Sequence, residues 1–441
     1  MGFNLLLPLI ITVAGAFFLI KLRAFFIFHP IRVLKLIISS FEDNSKSALR
    51  SLSLALAGTL GVGNIIGVAV GIMIGGAGSV FWLLISSVFA AVLKYSESLL
   101  AVENMQKSGE RRGGMMYLIK TSFGRASRPL SIVYAIASIL LAFVMGAALQ
   151  SNAIYTAAGY FCDVPKLLIA AAVLTLSFLS VKNGGEMIEK ITVVLIPVTT
   201  VAYIVMSLFV IFLHIGSLPS VLVEIVNSAF EPFAAGGGIF GFLCSKCLFE
   251  GYARGILSNE AGAGTSTLAH AREGSASPCR VGALGMCEVL FDTVILCMLT
   301  AFSILLSIEN IKEYESAAAL VYDAFSSVLS GAFSLPLFLS IISFAFSTVI
   351  CWYYYGERCS YFVFGGRGRS AYFALFLISV ALGVYFNTEC VVRLADILLL
   401  ILSLISVSAL IKNSDRVKAL SESEKVISKF GFLKGASRHR R

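Results

Sequence analysis

Asn64 stands alone among apolar residues and glycines in GTLGVGNIIGVAVGIMIGG, residues 58–76, a run with seven glycines and no charge. Glycine weakens a helix by about 1 kcal/mol relative to alanine, so G-x-G-N in an apolar run points to an unwound turn. Such a turn exposes carbonyls, Thr59 and Leu60 among them, to a cation, and N–H groups to an anion. The helix half that starts near Asn64 aims its positive dipole end at a carboxylate. A second interruption, Gly236-Gly237-Gly238, is followed by Ile239 and by Phe240, which could cap a small substrate. Ser347 and Thr348 are adjacent hydroxyls in FAFSTVICWYYYGE, an oxygen pair suited to a hard monovalent cation; Trp352 follows one turn later. Gln150 offers an amide on another apolar run. No Asp or Glu occurs between Arg50 and Glu97. A substrate ammonium must therefore find neutral acceptors: freed carbonyls, Asn64 or Gln150. A zwitterion accompanied by Na⁺ fits this inventory, whereas a dication or a strong anion does not.

These residues need apolar spans to position them, and the composition supplies them. The 441 residues are 58% hydrophobic and 13% charged, with mean hydropathy +0.90. A soluble domain of this length carries more charge on its surface. The expected class is an all-α polytopic membrane protein with about 11 spans. The first apolar run, Phe3 to Ile20, has Lys21 and Arg23 after it and no basic residue before it, so it reads as a retained helix with its N-terminus outside. The others lie near 52–74, 79–102, 130–158, 165–181, 190–215, 234–256, 281–308, 333–356, 371–387 and 390–412. Basic segments (103–128, 254–280, 357–369 and the tail from Lys412) alternate with the acidic loops 216–233 and 307–332. This alternation places the C-terminus in the cytoplasm. The chain divides into an N-terminal span with a basic segment (1–50), a first five-helix repeat (51–216), a second of opposite orientation (217–412), and a basic tail (413–441). Each repeat opens with a glycine-interrupted helix, the pattern of an inverted-repeat secondary transporter.

Packing competes with chemistry for several residues. Gly67, Gly71 and Gly75 recur every four residues, a face that admits a neighbouring helix closely. Ser347 and Thr348 can bond their own helix, Trp352 suits an aromatic belt, and Gln150 suits an interhelical hydrogen bond. The C-x-x-C at Cys244 and Cys247 reads as packing rather than metal binding. Lys94 and Glu97 read as a local pair; Lys246, Glu250 and Arg254 as a cytoplasmic gate or a structural network at the end of the second interrupted helix. Glu288 and Asp292 share a helix face, with Asp292 packed against a Lys or a hydroxyl or serving as a proton relay. None of the four histidines has an evident nucleophile or metal partner, which disfavours an enzyme. G-x-x-x-x-G-K-[ST] is absent, which removes the phosphate cradle of an ATP-driven pump. A channel would not require paired breaks. The net charge of +9 sits in loops and tail, where orientation explains it without a nucleic-acid partner.

The blocks GTLGVGNIIGVA, GGAGSVFW, KYSESLLAV, GGMMYLI, GYARGILSNEAGAG with TSTLAHA, FDTVILCMLTA and FAFSTVICWYYYGERC together resemble the alanine or glycine:cation symporter family. The resemblance spans about residues 50–365. It implies a leucine-transporter-type fold, ten core helices in two inverted fives plus one N-terminal helix, in a bacterial cytoplasmic membrane. It further implies Na⁺-coupled, or H⁺-coupled, uptake of alanine or glycine, with no organic cofactor. Carried over by motif, Gly61, Gly63 and Asn64 belong to the first substrate and cation turn and Gln150 lies near the substrate amine. Gly237 and Gly238 match the second break; Thr348 and Trp352 match pocket residues. Val62 stands where the family has threonine, and Ile239 stands where it has phenylalanine. These departures leave open the exact substrate, serine or another small neutral amino acid included, and the ion count.

Overall fold

The computed structural model describes residues 2–41, 45–108, 113–159, 164–232, 246–271, 277–327, 334–423 and 426. Among them all regular structure is helical. Helices α1 (Gly2–Lys21), α2 (Phe25–Phe28) and α3 (Pro30–Ser39) lead to an interrupted pair, α4 (Ser45–Thr59) and α5 (Ile66–Gly75). The long α6 (Gly78–Ser108) and short α7 (Met115–Ser122) follow. The next rod joins α8 (Ser127–Leu141), a π-helical stretch Ala142–Leu149 and α9 (Gln150–Gly159). Then come α10 (Lys166–Val181), α11 (Gly185–Leu213) and α12 (Leu218–Pro232). A second interrupted pair, α13 (Lys246–Asn259) and α14 (Thr267–His270), precedes a rod of α15 (Pro278–Val289), π-helical Leu290–Cys297 and α16 (Met298–Ser307). The chain closes with α17 (Ala317–Ser326), α18 (Ser334–Phe364), α19 (Arg369–Gly383), α20 (Thr388–Lys412) and α21 (Ser414–Ser423).

Six stretches are long and apolar enough to cross a bilayer: Gly78–Lys107, Gly124–Gly159, Gly185–Leu213, Pro278–Ser307, Ser334–Gly383 and Cys390–Lys412. The pair Lys46–Thr59 and Val62–Gly75, bent by 65°, makes a seventh. Leu6–Lys21 and Lys166–Val181 are shorter apolar helices. α11 shows what surrounds them. Val194, Val198, Val201, Val205 and Phe212 are exposed along one side, while Thr192, Thr199, Thr200, Tyr203 and Ser207 are buried. An apolar stripe turned outward with hydroxyls turned inward is stable only against lipid. The protein is a multi-pass membrane protein.

α6 is the hub of the interior. α13 lies along it through Gly251, which abuts Ser79 and Trp82, and Gly255, which abuts Ser86. α15 lies along it through Gly282, where an added Cβ would stand 2.8 Å from the Tyr95 ring. α13 also runs antiparallel to α5: Gly75 faces Cys247 and Glu250, Gly71 faces Arg254, and Gly63 faces Ser258. The packing reading therefore holds for Gly71 and Gly75. It fails for Gly67, where an added Cβ would meet nothing within 4 Å. Gly67 instead lines a cavity of about 180 Å³ with Val62, Gly63, Asn152, Arg254 and Thr388.

Candidate functional site

The helix stops at Thr59 because the next residues cannot continue it cheaply: Gly61 and Gly63 have no side chain to pack, and Asn64 competes for backbone hydrogen bonds. Gly61 is extended, and its N–H donates to the Thr59 carbonyl (2.9 Å) and to Asn64 Oδ1 (3.1 Å). A single 3₁₀ turn, Val62–Asn64, redirects the chain into α5. The unwound turn read from G-x-G-N is present.

Four other helices press on this turn. The Thr348 hydroxyl donates to the Leu60 carbonyl (3.2 Å) as well as to Phe344 in its own helix (3.0 Å). The Ser347 hydroxyl donates only within its helix, to Phe344 (2.8 Å). Of the two expected cage hydroxyls, one reaches the break. The Thr59 hydroxyl also turns back on its helix, to Ala55 and Leu56. Trp352 is fully buried; its indole N–H donates to the Gly58 carbonyl (3.3 Å) and its base packs on Gly146. It walls the break and lies in no membrane-interface belt.

Gln150 sits where the π-helical stretch ends. A π turn inserts one extra residue and is frequent where a side chain must be aimed. Its Nε2 donates to Met145 (3.3 Å), while its buried Oε1 has no partner. A Cβ placed on Gly61 would lie 3.0 Å from Thr348 Oγ1 and 3.3 Å from Gln150 Oε1. The break, Gln150 and Thr348 thus converge, leaving an unsatisfied amide oxygen that an ammonium could use. An unpaired buried acceptor costs about 1–3 kcal/mol.

The other two elements are α13 and the rod that carries Asp292 and Thr300. Asn64 Nδ2 donates to Ser258 Oγ (2.9 Å) and to Asp292 Oδ1 (2.6 Å). Ser258 and Thr293 each donate to Asp292 Oδ2 at 2.8 Å. The backbone of Asn64 is fixed by Thr300, which donates to its carbonyl (2.9 Å) and pairs with the Tyr203 hydroxyl (2.6 Å). Asp292 therefore packs against hydroxyls, one of the two readings of it, but at the break itself. Ser258, Thr293, Thr300 and Tyr203 are additions to the expected set. The signal for Asp292 was in view: an ionisable residue inside an apolar span marks a functional site by default.

Gly237, Gly238, Ile239 and Phe240, expected at the second break, lie outside the described residues. Within those described, α13 runs unbroken from Lys246 to Asn259, its last turn meets GVGN through Ser258, and non-helical Glu260–Ser266 follows it. Glu260, Gly262 and Gly264 have φ of 53°, 83° and 75°. Left-handed backbone at three of five residues stops a helix.

Three further expectations meet the structure here. Lys94 does not pair with Glu97 one turn on; its ammonium bonds Glu288 (2.8 Å) and Ser266 (2.8 Å), because α15 and the second interruption face it across the helix groove. Glu250 and Arg254 pair at 2.9 Å, beside Gly75 and Gly71. His270 does face a hydroxyl: it lies 3.1 Å from Ser51 Oγ and 3.2 Å from Glu288 Oε2. All three are buried, and Glu288 is committed to Lys94, so the array ties α4, α6, α14 and α15 together.

An unwound helix in the interior of a lipid-facing bundle is a feature of membrane transporters. The sodium:alanine symporter family matches residues 1–425, and the chain belongs to that family. It is 33% identical over 401 residues to an uncharacterized transporter of Haemophilus influenzae, covering 88% of this chain and 87% of that protein. It is 29% identical to the sodium/alanine symporter AgcS of Methanococcus maripaludis, covering 83% and 82%. It is 30% identical to GlnT of Bacillus subtilis, a probable sodium/glutamine symporter, covering 87% and 80%. The chain is a transporter, not an enzyme.

Proposed function

We propose that this protein carries a small neutral amino acid, alanine or glycine, into the cell together with Na⁺ by alternating access. In this reading ten core helices form two inverted fives behind the N-terminal helix, N-terminus outside and C-terminus in the cytoplasm. The observation that carries it is the convergence at Gly61 of an unsatisfied Gln150 oxygen, which suits an ammonium, with the Leu60 carbonyl and the Thr348 hydroxyl, which suit a cation. Trp352 closes one wall. Na⁺ moving down the membrane potential supplies about 2.3 kcal/mol per charge per 100 mV.

Equilibrium binding of labelled glycine and L-alanine to the solubilised protein, in Na⁺ and in choline, tests the pocket. Gln150→Leu should weaken binding about tenfold or more, the equivalent of a buried partner lost. Serine should compete and glutamine should not. Glutamine binding as tight as alanine would move the substrate class towards that of GlnT.

A further inference from the structure

The end of α18 borders a second cavity, of about 380 Å³, lined by Gly184, Gly185, Glu357, Arg358, Gly366 and Arg369. Its glycines keep it open. An added Cβ on Gly366 would meet nothing within 4 Å, and one on Gly184 would stand 3.7 Å from Arg369 Nη2. The 3₁₀ turn Gly365–Gly368 carries α18 into α19, and α11 begins at Gly185 with no side chain capping it. The first N–H groups of a helix have no partner within it, so this wall favours negative charge.

The two arginines of this cavity are held differently. Arg369 Nε bonds Glu357 Oε1 at 3.1 Å, so that pair is neutral. Arg358 lies over the Tyr354 ring, 4.9 Å from its centroid, and makes no ion pair among the described residues. Its Nε is buried without a hydrogen-bond partner. The cavity therefore carries one net positive charge and a guanidinium N–H with no acceptor. A guanidinium presents parallel donors that match a phosphate bidentately. The surface beside the cavity is apolar: Phe364 is 56% exposed and Tyr361 45%.

We infer that this cavity is a binding site for a phosphate group, gripped by Arg358 and seated against the glycine walls. Glu357 does not oppose it, because Arg369 holds that carboxylate. Two sources supply such a group. An anionic phospholipid brings its headgroup along the apolar surface at Tyr361 and Phe364, as headgroups enter basic pockets between spans. A soluble phosphate ester enters from the water. Neither the amino acid carried nor the coupling ion takes part, so the site stands or falls apart from the symport reading.

Native mass spectrometry of the solubilised full-length protein tests the lipid source, with phosphatidylglycerol and with dioleoylglycerol, which lacks the phosphate. Equilibrium dialysis with labelled glycerol phosphate tests the soluble one. Wild type is expected to retain phosphatidylglycerol and release dioleoylglycerol. Arg358→Met, which keeps an unbranched side chain on Tyr354, should bind about tenfold more weakly or worse. Because that variant could misfold, Gly366→Asp is the second probe. Its Cβ meets open space and its carboxylate repels the phosphate, so binding should fall as far while the protein stays monodisperse. Arg367→Gln, in the same turn but not lining the cavity, should bind as wild type does. A ligand lost in both cavity variants upholds the site, and which of the two ligands it is identifies the source. No binding of either, binding that Arg358→Met or Gly366→Asp leaves unchanged, or equal retention of dioleoylglycerol overturns it.

Discussion

Two buried polar clusters lie four residues apart on one rod, and they are built oppositely. Around Glu288 both oxygens meet basic side chains: Lys94 at 2.8 Å and His270 at 3.2 Å take them, with Ser266 and Ser51 completing the array. Around Asp292 the carboxylate has three neutral donors and, among the described residues, no ion pair. The first cluster fixes α4, α6, α14 and α15 to one another. The second leaves a charge uncompensated next to an unwound helix. Burial alone does not distinguish a structural carboxylate from one that waits for a ligand; the sign and number of its partners do.

Removing partners one at a time sharpens this contrast. Lys94→Ala strands Glu288 in the interior, and loss of one member of a buried pair costs about 3–5 kcal/mol. A large drop in apparent Tm, or loss of folded protein, is expected by thermal unfolding. The double variant Lys94→Met, Glu288→Gln should be more stable than Lys94→Ala, since it removes the stranded charge. An unchanged Tm in Lys94→Ala would erase the distinction between the clusters.

Asp292→Asn should be milder. It keeps the shape of the side chain and removes an uncompensated charge, at a cost of about 1–3 kcal/mol for donors left unmatched. A loss as large as that of Lys94→Ala would place Asp292 in the structural class. Ser51→Ala removes the hydroxyl contacts to His270 and to the Ala269 carbonyl, worth about 1 kcal/mol, and should leave alanine binding unchanged; a binding defect would extend the functional region into the paired cluster.

The smallest effect belongs outside the membrane. At the junction of α1 and α21, Lys21 bonds Asp415 at 2.8 Å, and that hydrogen bond, with the ammonium charge, lowers the Asp415 pKa. A lowered carboxylate contributes stability above its unfolded pKa and loses it as pH falls through its folded value. Asp415 is exposed, so Asp415→Asn should leave apparent Tm near neutral pH within error.

What could be read from the sequence follows from which signals are local. Apolar runs report spans directly, and most of those expected match described helices. The GVGN turn was legible because Gly61, Gly63 and Asn64 each oppose a helix for a local reason. The contact made by Ser258 was hidden: it ends an apolar helix, and its role comes from facing Asn64 across 194 residues of chain. Lys94 misled for the same cause, since Glu97 is its neighbour in sequence and Glu288 its neighbour in space. Gln150 and Thr348 were found by type and motif. That Thr348 reaches the break and Ser347 does not is set by a helix rotation that no periodicity encodes.

Uptake of labelled glycine and of L- and D-alanine into proteoliposomes, under an inward Na⁺ gradient and with Na⁺ replaced by choline, tests the central claim most directly. The account predicts uptake that requires Na⁺ and is lost in Asn64→Ala while that variant remains monodisperse. Uptake that continues in choline, or that Asn64→Ala leaves intact, would contradict it.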